Sequence, residues 1–236
     1  MKVDEIYTIP SYDYQGENNW GDVLLPVDLK SMGKPIPLPD GLEARVRSDY
    51  VSIYKPIKED GEDVFLRIAG MELLGSDLPT PKPARQVDTL SVHPKYRKKG
   101  LARILYHLAL RYVSPYLEAG YQQTPGGKKM WLALANDPQV QVQGLVEFLE
   151  QEVIDQKYQA DWAKKAKAEL LKKFMALGPE YMGKSRDSKN KLIFLVPIVN
   201  LGRALALAQE FSDIQLYHEV HRPPALTTGL LATWRG

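Results

Sequence analysis

Polar and apolar residues alternate through Arg45-Val46-Arg47 and again through Ser52-Ile53-Tyr54, the period-two pattern of strands with one wet face. Glu43–Ile57 and Glu62–Leu74 therefore read as two strands, separated by Lys58-Glu59-Asp60-Gly61, where Asp-Gly is a hairpin signal. After a loop with Pro79, Pro81 and Pro83, Gln86–His93 reads as a third strand, ended by Pro94. At Leu101 the period changes. Leu101, Ile104, Leu105, Leu108, Leu110 and Tyr112 recur at helical spacing and predict a helix over Leu101–Leu117. Lys129–Ala135 reads as a short buried strand, and Gln139–Leu177 as a long helix stopped by Gly178-Pro179. Lys191–Val199 reads as a strand, Leu201–Phe211 as a helix, and Ile214–His221 as a further strand, with an ambiguous tail from Pro223.

Upstream, one short strand is expected near Val3–Thr8. Pro35, Pro37 and Pro39 rule out a helix there, because proline lacks the backbone donor and clashes with the preceding turn. The order predicts a mixed α/β protein on one sheet. Residues 1–42 form an irregular segment packed on the body, and 43–236 form one domain with a helical embellishment at about 139–190.

Composition narrows the function classes more than the fold. The chain has 236 residues, 44% hydrophobic and 25% charged, ordinary values for a globular protein. With no cysteine, disulfides and thiolate chemistry are excluded. A formal charge of +2 gives no global drive toward nucleic acid or membrane. The run Leu192–Val199 is too short to span a bilayer. A cytoplasmic protein is expected.

Chemistry concentrates between Val87 and Tyr106. Here a strand runs into a basic, glycine-containing turn, and the turn opens an amphipathic helix. The first helical turn points unpaired N–H groups outward, and the helix dipole adds positive potential at the same place. Gly100 and Ala102 let a bulky anion approach the backbone, so the turn suits a phosphate or pyrophosphate. Arg97-Lys98-Lys99-Gly100-Leu101-Ala102, with its flanking strand and helix, resembles motif A of the GNAT acetyltransferases. The resemblance implies the GNAT-like acyltransferase fold and acetyl-coenzyme A as cofactor. It implies a cofactor site of Arg97, Lys98, Lys99, Gly100, Leu101, Ala102 and Arg103, with the strand edge Leu90-Ser91-Val92 along the pantetheine arm. Asn136 stands where the family often has an asparagine near that arm. The expected function is transfer of an acetyl group to an amine of a protein or small molecule.

Such a transfer needs a base for the amine. Asp88, on the strand before the phosphate turn, is the best candidate; Glu72 on the preceding strand is a weaker one. A backbone N–H near Val92 would polarise the carbonyl. His93 suits a turn better than a proton relay, since it precedes Pro94. The tyrosine that such proteins carry on the helix after the cofactor strand, to protonate the thiolate, has no counterpart in Gln141–Leu149. That gap supports a rival reading, a binding protein on the same fold with a protein partner docked through 139–190. Gly178-Pro179-Glu180-Tyr181-Met182-Gly183-Lys184-Ser185 matches the Walker A expression, but it follows a helix and leads into a strand, the reverse of a P-loop. It reads as a mobile loop beside the acceptor site. His218 and His221, on one strand, would face opposite sides, so no metal site is expected. The lysines of Lys164–Lys173 read as a solvated face.

Overall fold

In the computed structural model, Asp60 and Gly61 take φ of 49° and 86°. Two positive values in succession make the tight type I′ connection that joins strands β4 (Tyr50–Glu59) and β5 (Glu62–Gly75). The structure describes residues 23–24, 26–30, 32–120, 125–149, 161–185, 191–216 and 229–235. The strand expected at Val3–Thr8, together with His218 and His221, lies outside these residues.

Two compact units emerge. The first comprises residues 10–76, 84–141 and 232–236. It contains β1 (Val23–Leu24), helix α1 (Pro26–Lys30), β2 (Pro35–Pro37), β3 (Glu43–Val46), β4, β5, β6 (Arg85–Val92), α2 (Leu101–Tyr112), β7 (Tyr116–Glu118) and α3 (Pro125–Ala135). Its strands run in the order β2-β3-β4-β5-β6-β7, with β1 beside β5. All these pairs are antiparallel except β6 with β7, which is parallel. The prolines of β2 sit on an edge strand, where a missing donor costs the ladder nothing.

The run expected as one strand over Glu43–Ile57 is two. Arg47 N–H donates to Tyr50 O at 2.8 Å and folds the chain back through Ser48-Asp49. The resulting sheet has unlike faces. Ala44, Val51, Ile53, Ala69 and Met71 are fully buried, and α2 packs across these strands with Leu101, Leu105, Leu108, Ala109 and Leu110. Each such leucine contributes on the order of 2 kcal/mol by leaving water. Tyr112, expected on that face, is instead half exposed under Arg111.

The second unit comprises residues 1–9, 77–83 and 142–231. Here β8 (Val140–Leu149), β10 (Lys191–Pro197) and β9 (Glu180–Lys184) pair antiparallel in the order β8-β10-β9. Helices α4 (Asp161–Met175) and α5 (Leu201–Leu216) pack on each other. Phe148, Phe174 and Phe194 meet edge to face, with centroids 5.0 to 5.7 Å apart. The last strand, β11, spans Gly229–Trp234.

Several expectations need correction. Leu101–Leu117 is not one helix: Ser114-Pro115 breaks it, since the residue before a proline is pushed out of the helical region, and β7 follows. Lys129–Ala135 is helical, not extended; Pro125 opens α3 and Trp131 and Leu134 are buried at helical spacing. Gln139–Leu177 is not one helix either. Val140 and Val142, alternating with Gln141 and Gln143, begin β8, and only Asp161–Met175 is helical. The embellishment at 139–190 therefore carries two strands as well as a helix. Ile214–Leu216 continues α5 instead of starting a strand. The Walker-like stretch forms edge strand β9, with Gly178 and Gly183 at positive φ, and holds no phosphate cradle at a helix start. Lys167 is fully buried, unlike the solvated face expected of that lysine run.

One close approach in the first unit carries a clear prediction. A methyl group on Gly120 would lie 2.5 Å from Val87 O, a backbone atom that cannot swing away. Gly120→Ala is expected to cost about 1–3 kcal/mol through this overpacking, read as a lower urea midpoint at unchanged slope. An unchanged midpoint would show that the two backbones are free to part at this point.

Candidate functional site

The site grows from the end of β6. On one side β6 pairs with β5 from Arg85 to Val92. On the other it pairs with β7 only at Arg85↔Leu117 and Gln86↔Glu118. From Val87 onward β6 has no ladder partner on that side among the described residues. Leu90, Ser91 and Val92, the predicted arm-binding edge, lie on this stretch and are half buried.

The same strand carries a bulge. Val87 faces Leu73 and Thr89 faces Glu72, so Asp88 is the extra residue on β6. A bulge bends its strand and re-aims the side chain it carries. Asp88 and Glu72 are both exposed, and the register brings them to adjoining positions across β5 and β6.

Beyond Val92 the chain turns through Pro94–Tyr96 into α2. His93 makes this turn: its Nδ1 accepts from Lys95 N–H at 3.2 Å and its own N–H donates to Ile68 O at 2.9 Å. That is the structural role anticipated for it. Arg97 Nε donates to Val92 O at 3.2 Å, tying the turn to the strand end. Lys98 and Gly100 both take positive φ, 63° and 77°. Alternating left-handed residues turn successive N–H groups toward one point, as in an anion-binding nest. The first intrahelical bond runs from Ile104 N–H to Gly100 O at 3.1 Å, so the N–H groups of Leu101, Ala102 and Arg103 have no partner within the helix. A Cβ on Gly100 would meet nothing within 4 Å, so space lies open over the turn.

Tyr96 collects two of the basic side chains. Lys99 and Lys55 place their ammonium groups 5.2 and 5.6 Å from its ring centroid, one from each side of the turn. The basic side chains are thereby gathered beside the helix start. Nothing at the level of sequence pattern links Lys55 on β4 to this turn.

Arg103 has another task. Its Nη2 lies 2.8 Å from Asp137 Oδ2, and His107 Nε2 lies 2.7 Å from the same oxygen. Asp137 Oδ1 accepts from Gln139 N–H at 3.0 Å. This nearly inaccessible carboxylate fastens α2 to the end of α3, and His107 stacks edge-on against Trp234. Arg103 and His107 stand one helical turn apart, the only hint the sequence offers. Burial by itself pushes Asp137 up, but the Gln139 N–H, His107 and Arg103 outweigh it and hold the carboxyl below its ordinary range. Asn136 closes α3, its Nδ2 donating to Leu132 O at 3.0 Å; it ends a helix and does not follow a strand.

α3, the helix after β7, contains no tyrosine, and neither does Gln141–Leu149, which is part of strand β8. Tyr106, on α2, is buried against Trp131, and burial pushes its phenol up. Among the described residues no group of three or more His, Cys, Asp or Glu is placed to hold a metal, and no helix is long and apolar enough to cross a membrane.

No family model and no curated protein matches the chain. Solved structures do. One is a GCN5-related N-acetyltransferase from Kribbella flavida, with TM-score 0.30 and 12% identity; the match covers 78% of this chain and 60% of that one. A second is the diaminobutyrate acetyltransferase EctA from Paenibacillus lautus, in complex with its substrate and coenzyme A, with TM-score 0.29, 11% identity and coverage of 64% and 71%. A third is a tandem GNAT protein from the clavulanic acid biosynthesis pathway, with TM-score 0.27, 16% identity and 85% of each chain covered.

The Asp137 cluster predicts a pH signature. Because folding depresses this pKa, the folded chain binds the proton less readily than the unfolded chain does. The stabilisation is complete above the ordinary carboxyl pKa of about 4 and drains as pH falls through the folded value. Asp137→Asn is expected to cost about 1–3 kcal/mol at neutral pH. The gap to the parent protein should close progressively below pH ~4 in paired denaturation series. A gap independent of pH would show that the carboxylate charge does not hold α2 to α3.

Proposed function

We propose that this chain is an N-acyltransferase of the GNAT kind, moving an acetyl group from coenzyme A to an amine. The observation that carries the reading is the continuity of three features on one stretch of chain. A strand edge without a ladder partner among the described residues at Val87–Val92 leads into a turn with Lys98 and Gly100 left-handed, and the turn opens α2. An extended amide-bearing arm pairs with a free strand edge, and a pyrophosphate needs converging N–H groups with open space above them. The residues present meet both requirements.

Coenzyme A would supply an acyl group activated as a thioester. The N–H groups of Lys98–Ala102 hold its pyrophosphate, aided by the dipole of α2. Lys99 and Lys55, gathered on Tyr96, add positive charge there. The edge at Leu90, Ser91 and Val92 aligns the arm, and a backbone N–H near Val92 donates to the acyl oxygen. Asp88, re-aimed by its bulge, takes the proton from the acceptor amine. Glu72 is the alternative base, on the adjoining strand.

A second reading has one specific observation in its favour. α3 offers no tyrosine to protonate the leaving thiolate. A protein that holds coenzyme A and modulates a partner without turnover would have no use for one.

Acetyl-coenzyme A is expected to stabilise the protein by about 2.7 kcal/mol at a hundredfold excess over Kd, read as a rise in melting temperature. Gly100→Glu should remain folded and lose that rise, because it sets a carboxylate in the nest. No rise for the parent protein would sink the cofactor site. In a coupled assay with an amine acceptor, Asp88→Asn is expected to lower kcat about 100-fold while the melting shift with acetyl-coenzyme A is unchanged. Full activity in that variant transfers the proton-accepting role to Glu72. Absence of turnover over a broad amine panel, with cofactor binding intact, selects the second reading.

A further inference from the structure

The face of the sheet opposite α2 is polar, and it contains a cavity of about 350 Å³ that the cofactor reading does not use. Register fixes what lines it. Arg47 N–H donates to Tyr50 O, Tyr50 stands opposite Glu72, and Glu72 stands opposite Thr89. Directly paired residues share a face, so Arg47 at the β3–β4 turn forms one row with Tyr50, Glu72 and Thr89 on β4, β5 and β6. The first three line the cavity.

Its three cavity-lining members carry opposite charges at their ends, Arg47 and Glu72. Tyr50 is fixed between them, its hydroxyl accepting from Arg67 Nη1 at 2.7 Å and passing over Gly70, where a methyl group would lie 2.7 Å from that oxygen. Arg45, which also lines the cavity, is committed to Glu43 at 2.5 Å and to Gly33 O. Arg47 is not so held. Its 3.3 Å pair with Asp49 is half exposed on both sides, an arrangement worth little in water. Glu72 has no ion-pair partner among the described residues. Arg47 and Glu72 are separated by two strand spacings, roughly 10 Å. The Glu72 end adjoins the Asp88 bulge, where the proposed transfer occurs.

We propose that this cavity is the acceptor site and that its acceptor is a small ω-amino acid, with its amine at Glu72 and its carboxylate at Arg47. The inference rests on the acyltransferase reading and names the substrate class for it. A carboxylate competes with Asp49 for Arg47, while the ammonium meets an unpaired carboxylate. In this arrangement Glu72 holds the amine beside the bulge and Asp88 accepts its proton. Two charges separated by a short methylene chain suit the row, whereas a lysine side chain presented by a protein would leave Arg47 unmet.

The test uses three probes that differ by one charge: 5-aminopentanoate, pentylamine and pentanoate. Binding to the full chain is measured by calorimetry, with and without coenzyme A present. The expected result is that 5-aminopentanoate binds at least about tenfold more tightly than either partial analogue, since each charged contact contributes on the order of 1.5 kcal/mol or more. Arg47→Gln should reduce its affinity to that of pentylamine, and Glu72→Gln to that of pentanoate. Both positions are at the surface and tolerate the change. Asp49→Asn should tighten binding by removing the competitor for Arg47. Equal affinity for 5-aminopentanoate and pentylamine, or looser binding in Asp49→Asn, overturns the proposal. So does failure of all three probes while acetyl-coenzyme A still raises the melting temperature. If acetyl-coenzyme A fails and 5-aminopentanoate binds as described, the acyltransferase reading falls and the cavity stands as an ω-amino acid site.

Discussion

The first unit depends on an asymmetry in one strand. β6 is fully laddered to β5 on one side and touches β7 at only two register positions on the other. A strand bonded along both edges would offer nothing to an incoming amide, and a strand bonded along neither would not stay in place. The β5 ladder supplies rigidity, and beyond Gln86 no strand among the described residues ladders to the other edge. Gly120 lets the two backbones remain close until the point of divergence. One short turn, Pro94–Tyr96, separates the strand end at Val92 from the left-handed residues Lys98 and Gly100, so the edge and the helix start are positioned by the same stretch.

The tie between α2 and α3 protects this arrangement from the other end. Asp137 accepts from Arg103, His107 and the chain itself at Gln139, leaving little of its hydrogen-bonding capacity unused. Arg103 thus ties the helix that opens at the turn to the end of α3, with its side chain still more than half exposed.

Legibility in the sequence followed the range of the interactions. Asp60-Gly61, the helix start at Leu101 and the strand ending at Pro94 are local, and the residue types alone specify them. The apolar stretch Lys129–Ala135 has no decisive period, and its helical state depends on Trp131 packing on Tyr106 of α2. Val140–Leu149 alternates only in its first half; beyond Gly144 its apolar run suits a strand or a helix until β10 pairs with it. Because Lys129–Ala135 is helical, Asn136 stands at a helix end, and because Val140–Leu149 is a strand, Gln141–Leu149 is not the helix its apolar residues suggest. Of the site, the turn and the edge were visible as a motif. The bulge at Asp88, the Tyr96 clamp and the Arg47–Tyr50–Glu72 row exist only through register between strands, which no single-segment pattern encodes.

The β4–β5 hairpin extends past its neighbours: β6 pairs with β5 only from Ala69 onward, β1 reaches only as far as Phe65, and β3 pairs with β4 only up to Tyr54. Its tip, Lys58 to Asp63, is exposed, is closed by a turn that needs no outside support and lies beyond the rows that carry the nest and the cavity. It is therefore a natural attachment point: a reporter or affinity handle spliced between Asp60 and Gly61 would be carried on a rigid arm, leaving the chemistry at the other end of the ladder undisturbed.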